Sequence, residues 1–434
     1  MNFCNLIRLF RNFIVLNPQA SRNIKLLITN VLQVKSFRDL NKSRKKFIKN
    51  VLISFLSIKG RPESSARTGE AINFLQLERF GEYSESTYRT HFEEKFDFFE
   101  FNKQLVKQIS DEIIIGFDPS YLSKSGKKTH GVGYFWSGVD SKVKWGIEVS
   151  GFAAIDPKLN SAFHLNAYQT PSKEELDLLE MTLLAYYASL VTKNATEFKK
   201  LSQYVVADAY FSKLPFLEAV SQAKLFLISR LRSDSDLKYL FYGSLTGKKG
   251  APKKYDGKID FKNLSMKHLN LDYQDDAIRV YRAMVFSVAF KRKIKIAVVN
   301  YLKGDKITAT KIYFSTNVKQ ETLEIVKFYK ARFQIEFVFR DGKQFTGTNT
   351  CEARSENKID FHVNTSLTSV NLAKVDWFSN EDNHKKPFSI ADYKTQFNNE
   401  LLINRFITLF GINPNKPKNK IIIPELLDYG KIAA

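Results

Sequence analysis

The spacing of apolar residues changes several times along this chain. Over residues 1–105 it is helical. Ile24, Leu27 and Val31, then Phe47, Val51, Leu52 and Phe55, recur every three or four positions, the mark of amphipathic helices. Arg44, Lys45, Lys46 and Lys49 lie among the second series, so that helix is basic as well as amphipathic. A further pair of short helices is predicted in AINFLQLERFGEYSESTYRTHFEEKF. The first covers 72–80 and meets a turn at Gly81; Ser84 then caps a second, which carries Thr87, Tyr88, Arg89 and His91.

From residue 111 short unbroken apolar runs take over. EIIIGFD is a β-branched run ending in Asp118, and GVGYFWSGV and VKWGIEVSGF read as two further strands. Ser172 and Glu175 form a capping-box pair that opens one apolar helix through LDLLEMTLLAYYASLV. QYVVAD is another strand, ending at Asp208; a helix follows from about 212, and then the strand LFLISR. The order β-β-β-α-β-α-β predicts an α/β fold, a mixed sheet with helices on its faces. Asp118 and Asp208 both stand at carboxyl ends of apolar strands, where sheets of this kind place their chemistry.

Residues 233–315 interrupt that order with a β-rich insertion. Antiparallel hairpins are expected to turn at 291–293 and 303–305. The basic loop LTGKKGAPKKYDGK is either a solvated hairpin tip or, through Lys248, Lys249, Lys253 and Lys254, a surface that tracks a phosphate backbone.

A helix returns in FYKARFQIEFVFRDGK, which carries Tyr329, Arg332, Glu336 and Lys343 in the spacing Y-x2-R-x3-E-x6-K. On one continuous helix these offsets fall within a sector of about 60°. Phe333 and Phe337 flank the stripe on one side, Ile335 and Phe339 on the other. A phenol, a guanidinium, a carboxylate and an ammonium would thus line one polar strip suited to an anion. Asp341 is a rival carboxylate, but it points about 140° away from Glu336 on the same wheel. The segment after 376 combines an apolar helix with a basic stretch rich in Pro and Asn, and is either a contact between two copies or a surface helix.

Charge sharpens this picture. The chain has 67 Lys+Arg against 45 Asp+Glu, a formal net charge of +22 over 434 residues, and such an excess favours a polyanionic partner. Its 37 Phe and 19 Tyr supply real cores, which excludes a disordered basic tail. Cys4 and Cys351 are too few for a disulfide framework or a thiolate metal site, and the six histidines lack ligand spacing. Arg8 and Arg11 break the apolar run near the start, so no signal peptide or membrane span is expected. The expected location is the cytoplasm. Trp136 and Trp145 are expected in the core.

The 72–91 pair resembles a helix-turn-helix whose second helix, with Arg89, enters a major groove; two core helices joined by a glycine turn fit the pattern equally. Asp118, Asp208 and the 329–343 helix together resemble the DDE transposases of bacterial insertion sequences, in the branch with a Tyr-Arg-Glu-Lys signature. VVADAYFSK, YFSTN and CEARSEN support the resemblance, which runs through about 70–375. Asn317 stands where many relatives have an aspartate.

The resemblance implies a ribonuclease H-like catalytic core over 106–232 and 316–375, split by the 233–315 insertion. It leaves 1–105 as a helical DNA-binding region and 376–434 as a C-terminal helical region able to form a dimer. It implies that Asp118, Asp208 and Glu336 are catalytic and hold two Mg²⁺ ions, with Mn²⁺ able to substitute. Tyr329, Arg332, Lys343, Arg230, Arg232, Lys253, Lys254 and Arg89 are the candidate DNA contacts. The implied partners are double-stranded DNA, as terminal inverted repeats and target, and a second copy of the chain in a synaptic complex; in a bacterium the bound protein would sit on the nucleoid. The implied activity is cut-and-paste cleavage and strand transfer, often through a hairpin on the excised end. The alternatives are a related metal nuclease without strand transfer and an inactive, domesticated DNA-binding derivative.

Overall fold

The structure is a computed structural model that describes residues 19–58, 71–243, 252–261, 264–304 and 306–432. Cys4, Arg8, Arg11, Lys248, Lys249 and Asp305 therefore lie outside the described residues. The chain divides into two compact units: Ser110–Phe337, and Met1–Ile109 together with Val338–Ala434.

The second of these is helical. Its N-terminal part holds α1 (Gln19–Gln33), α2 (Lys42–Ser57), α3 (Phe74–Phe80), α4 (Glu85–His91) and α5 (Phe98–Val106). Side chains of Asn41, Asn73, Ser84 and Asp97 each accept a backbone N–H of the helix that follows, which fixes where four of these helices begin. Phe47, Phe92, Phe98 and Phe361 pack ring against ring at their centre. Tyr88 of α4 is fully buried and donates to Asn50 Oδ1 at 2.6 Å, while Arg89 spends its donors on Glu85 one turn earlier and lies over the Phe74 ring.

In the other unit a sheet of twelve strands runs in the order β2-β3-β1-β5-β6-β12-β11-β10-β7-β8, with β4 beside β3 and β9 beside β10. β1 (Ile114–Ser123), β2 (Gly133–Ser137), β3 (Lys142–Asp156) and β4 (Ser161–Thr170) form an antiparallel meander. β5 (Tyr204–Val206) and β6 (Phe226–Leu231) add in parallel beyond β1. Of these, β4 has no counterpart in the sequence reading, because SAFHLNAYQT alternates too weakly to stand out.

Three helices connect β4 to β5: α6 (Lys173–Leu178), α7 (Leu183–Lys193) and α8 (Ala195–Lys199). The single helix expected from Ser172 onward is thus broken. Ser172 and Glu175 do form the capping box, but Glu180 adopts φ 50° and Thr182 caps a new start by accepting from Ala185 N. Helix α9 (Leu214–Gln222) joins β5 to β6.

The insertion continues the same sheet. β7 (Leu237–Leu240), β8 (Tyr255–Lys258), β9 (Asn270–Gln274), β10 (Ile278–Ser287), β11 (Arg292–Lys303) and β12 (Lys306–Ser315) are joined to the core because β12 pairs antiparallel with β6. Ile294, Ile296, Val298, Ile312 and Phe314 are buried on one face and Ala297, Val299 and Tyr313 on the other, so this part of the sheet is covered on both sides. Lys291 and Gly304 adopt φ 53° and 59° at the two hairpin turns.

α10 (Thr322–Ala331) lies against β11, β12 and β6 and is followed by α11 (Gln334–Phe345), inside which the two units meet in sequence. In the helical unit follow α12 (Glu356–Phe378), α13 (Ile390–Phe410) and α14 (Pro417–Asp428). Helix α12 is buried along most of its length, and several of its polar side chains are paired: Asn102 Nδ2 donates to Thr368 at 2.9 Å, and Asn371 Nδ2 donates to Asn102 at 2.8 Å. Lys394 of α13 donates to the carbonyls of Phe55, Ile58 and Phe345 at 2.8, 2.7 and 2.6 Å. Burial pulls its pKa down to about 7, while three carbonyl acceptors favour the charged ammonium. Among the described residues no helix is long and apolar enough to cross a membrane.

Candidate active site

The polar stripe does not lie on one helix. Tyr329 belongs to α10, Arg332 is its C-terminal cap, and Glu336 and Lys343 belong to α11. Between them the backbone bonds switch to a three-residue step: Arg332 N to Tyr329 O, Phe333 N to Lys330 O, Ile335 N to Arg332 O and Glu336 N to Phe333 O. This tightened turn advances faster than 100° per residue, so the simple wheel does not describe the strip. The turn nevertheless brings Arg332 onto Glu336, with Nη2 donating to Oε1 at 2.9 Å.

Asp118 lies mid-strand in β1, not at its end as the sequence suggested, because the antiparallel pairing with β3 carries the strand on to Ser123. The parallel pairing with β5 stops at Gly116 and Val206, so Asp118 is just past the carboxyl end of that parallel step. Two residues earlier, a Cβ on Gly116 would sit 2.5 Å from the Ile155 side chain and 3.7 Å from Ile335 Cδ1. Glycine therefore allows α11 to approach the strand beside Asp118. Asp208 follows β5 and caps a short 3₁₀ turn, accepting from Tyr210 N at 2.8 Å. Ser229 of β6 donates to the Asp208 carbonyl at 2.8 Å, tying the loop to the neighbouring strand.

These carboxylates act on one another. The Asp118 pKa is raised to about 7, first by burial and then by the charges of Asp208, Glu336 and Glu148, with the Arg332 guanidinium pulling it back. Arg332 Nε is buried and has no hydrogen-bond partner among the described residues. Glu148 is a member that the sequence did not reveal. It is buried on β3 and accepts from the Tyr187 hydroxyl at 2.6 Å, and burial raises its pKa. A lone glutamate inside the apolar run VKWGIEVSGF was the available signal.

The donor set suits a hard divalent cation: carboxylate oxygens in a partly enclosed, negatively charged setting. Among the described residues no three His, Cys, Asp or Glu side chains converge closely enough to hold a metal ion. Glu336 is turned to Arg332.

The remaining candidates are dispersed. Tyr329 has its phenol pKa raised by burial and stacks against Tyr313 at 4.7 Å. Arg230 lies exposed on β6 opposite Tyr313. Arg232 pairs with Asp234 in solvent, Lys253 pairs with Asp256 on β8, and Lys254 is exposed at the start of that hairpin strand. Lys343 lies in the last turn of α11, within the helical unit, as does Arg89. Asp341 is buried there, paired with Arg340. Trp136 is 58% exposed on β2 and not a core residue, because β2 is the sheet edge. Cys351 is buried.

Residues 183–372 match the family described as Transposase DDE domain. That stretch contains Asp208, Tyr329, Arg332, Glu336 and Lys343 but begins after Asp118. No curated protein matches the chain. Among solved structures, the chain is similar to a piggyBac transposase synaptic complex with hairpin DNA, at 11% identity and a TM-score of 0.38, over 96% of this chain and 84% of that one.

Proposed function

We propose that this protein is a DNA transposase of the DDE kind that binds the ends of an insertion sequence and moves it by cut-and-paste. The observation that carries this reading is the match of 183–372 to the transposase domain, in which Glu336 follows an arginine that also acts on Asp118. The bacterial Tyr-Arg-Glu-Lys branch is supported by the signature spacing itself.

In this reading Asp118, Asp208 and Glu336 would hold two Mg²⁺ ions, or Mn²⁺ in their place, and Glu336 would give up its bond to Arg332 to do so. Bound there, such ions supply activation of the attacking oxygen and stabilisation of the leaving one in an in-line displacement. Water first attacks the phosphorus at the element's end; the P–O3′ bond breaks and leaves a 3′-OH. That 3′ oxygen next attacks a phosphorus of the target strand and displaces its 3′ oxygen, so the number of phosphodiester bonds is conserved in the joining step. Arg332 and Tyr329 orient the terminal phosphate by a charge-assisted bond and a hydroxyl donor. Lys343, Arg230, Arg232, Lys253, Lys254 and Arg89 contribute backbone contacts.

The net charge of +22 supports double-stranded DNA as the partner, in the cytoplasm and on the nucleoid. A homodimer in the synaptic complex is supported by α13, which leaves Leu402, Phe406, Leu409 and Phe410 more than half exposed. An unpaired apolar face of this kind marks an interface. A strand-transfer assay with a pre-cut 3′-OH end tests the reading. Joining is expected; cleavage without joining would identify a related nuclease, and DNA binding with neither would identify an inactive derivative.

A further inference from the structure

We propose that the exposed aromatic face of the β2–β3 hairpin binds an unpaired strand of DNA by stacking its bases. This inference rests on the transposase reading only for DNA as the nucleic acid, and adds a single-strand contact which that reading does not assign.

The hairpin builds a platform from four side chains. β2 and β3 pair Tyr134 with Trp145 and Trp136 with Val143, and directly opposite residues of an antiparallel ladder share a face. Tyr134 is 69% exposed, Trp136 58% and Val143 56%, and Trp145 is half-buried beside them. The Tyr134 and Trp145 rings meet edge to face, 5.2 Å apart with an interplanar angle of 73°. The Tyr121 hydroxyl donates to the Trp145 carbonyl at 2.6 Å, which ties the platform strand to β1. Phe135 and Ser137 alternate to the other face and are buried, so the hairpin is anchored by one face and open on the other. Ile147, the next residue on the platform side of β3, is buried, which confines the platform to the hairpin.

Register also places the platform relative to the carboxylates. Asp118 of β1 is paired with Gly151 of β3. Trp145 precedes Gly151 by an even number of residues, so it stands on the Asp118 face of the sheet, about 20 Å along the strand.

Two observations select the occupant. The first is charge. From Lys124 to Trp145 the chain holds Lys124, Lys127, Lys128, Lys142 and Lys144 against one acid, Asp140, whose carboxylate accepts from Ser137 and Lys144. Lys127, Lys128 and Lys142 are exposed. A second copy of a chain with net charge +22 would be repelled by this border, whereas a polyanion is attracted to it. The second is shape. Tyr134 and Trp136 share one face of one strand, with about 7 Å between their positions, so each ring can seat its own base. Exposed aromatics on a sheet face stack two or three unpaired bases in single-strand binders. Bases inside a duplex have both ring faces covered by their neighbours and offer no such surface.

The test measures binding of the full chain, with chelator present, to a fluorescein-labelled oligothymidine of about ten nucleotides and to a blunt duplex, by anisotropy. Trp136→Ala and Tyr134→Ala should each weaken oligothymidine binding about tenfold and leave duplex binding within about twofold. Trp136→Phe should recover most of that loss. Tryptophan fluorescence of the wild type should be quenched by oligothymidine, and quenched less in Trp136→Phe. Leu178→Ala, which removes another exposed apolar side chain, should match wild type. Wild-type oligothymidine affinity in both alanine variants would overturn the platform and leave the transposase reading, which strand transfer tests, in place. A change of mass in solution with oligothymidine binding unchanged would overturn it in favour of a contact between copies. Loss of oligothymidine binding in these variants of a chain that joins no ends would keep the platform and remove the transposase reading.

Discussion

Arg332 Nη2 donates to Glu336 Oε1 at 2.9 Å, so without a metal the guanidinium occupies the carboxylate proposed to complete the ion site. The same guanidinium lowers the Asp118 pKa against the opposing pull of burial. Removing it should expose that opposing pull. Arg332→Ala is expected to raise the Asp118 pKa by roughly one unit or more and to shift the acidic limb of a cleavage pH profile upward by the same amount. An unshifted limb with reduced activity would mean that Arg332 acts on DNA alone.

The raised Asp118 pKa also makes a stability prediction for the metal-free protein. The carboxyl has its ordinary value of 3.8 when unfolded and about 7 when folded. Between those values the folded state binds more protons, so this group's contribution to stability is fully present below pH 3.8 and is lost as pH rises through 7. Asp118→Asn removes the penalty of ionising it in place. The variant should therefore gain stability over wild type above pH 7, by about 4 kcal/mol at most at 1.36 kcal/mol per unit, and the gain should vanish towards pH 4. Thermal melts with chelator across that range check the sign.

Lys394 makes a prediction about the helical unit alone. Its ammonium ties α13 to three carbonyls, at Phe55, Ile58 and Phe345. Lys394→Met keeps the length of the side chain but leaves buried acceptors without donors. A loss of about 3 kcal/mol is expected, a fall in melting temperature of several degrees. An unchanged melting temperature would show that water replaces the ammonium.

Glu336 and Lys343 lie on one helix but are assigned different work. Glu336→Gln should abolish cleavage and leave duplex binding within about twofold, whereas Lys343→Ala should weaken binding and lower the salt slope by about one. Equal loss of binding in both would make the helix a single structural unit and remove that division.

The mixed sheet was legible because its strands are unbroken apolar runs, and two of them lead directly into Asp118 and Asp208. The insertion was legible as hairpins, but not its continuity with the core. That continuity depends on the pairing of β12 with β6, a long-range contact that no local pattern encodes. The break between α10 and α11 was hidden for a different reason. YKARFQIE contains no Gly or Pro, so nothing in the local sequence marks the tightened turn at Arg332. Glu180 and Thr182 hid a second break inside an apolar series that reads as one helix. Glu148 was overlooked because a single charge in a strand ordinarily marks a solvent-facing position; only the Tyr187 hydroxyl and the surrounding burial give it a partner and a place near Asp118.

The central claim is that Asp118, Asp208 and Glu336 together carry phosphoryl transfer. It is tested most directly by incubating a pre-cut duplex with a free 3′-OH, a supercoiled target and Mg²⁺ with wild type, Asp118→Asn, Asp208→Asn and Glu336→Gln, and counting joined products. Wild type should join ends to target, and each variant should lose joining by at least about a hundredfold while still retaining the duplex. Joining by any of the three variants at the wild-type rate would contradict the account.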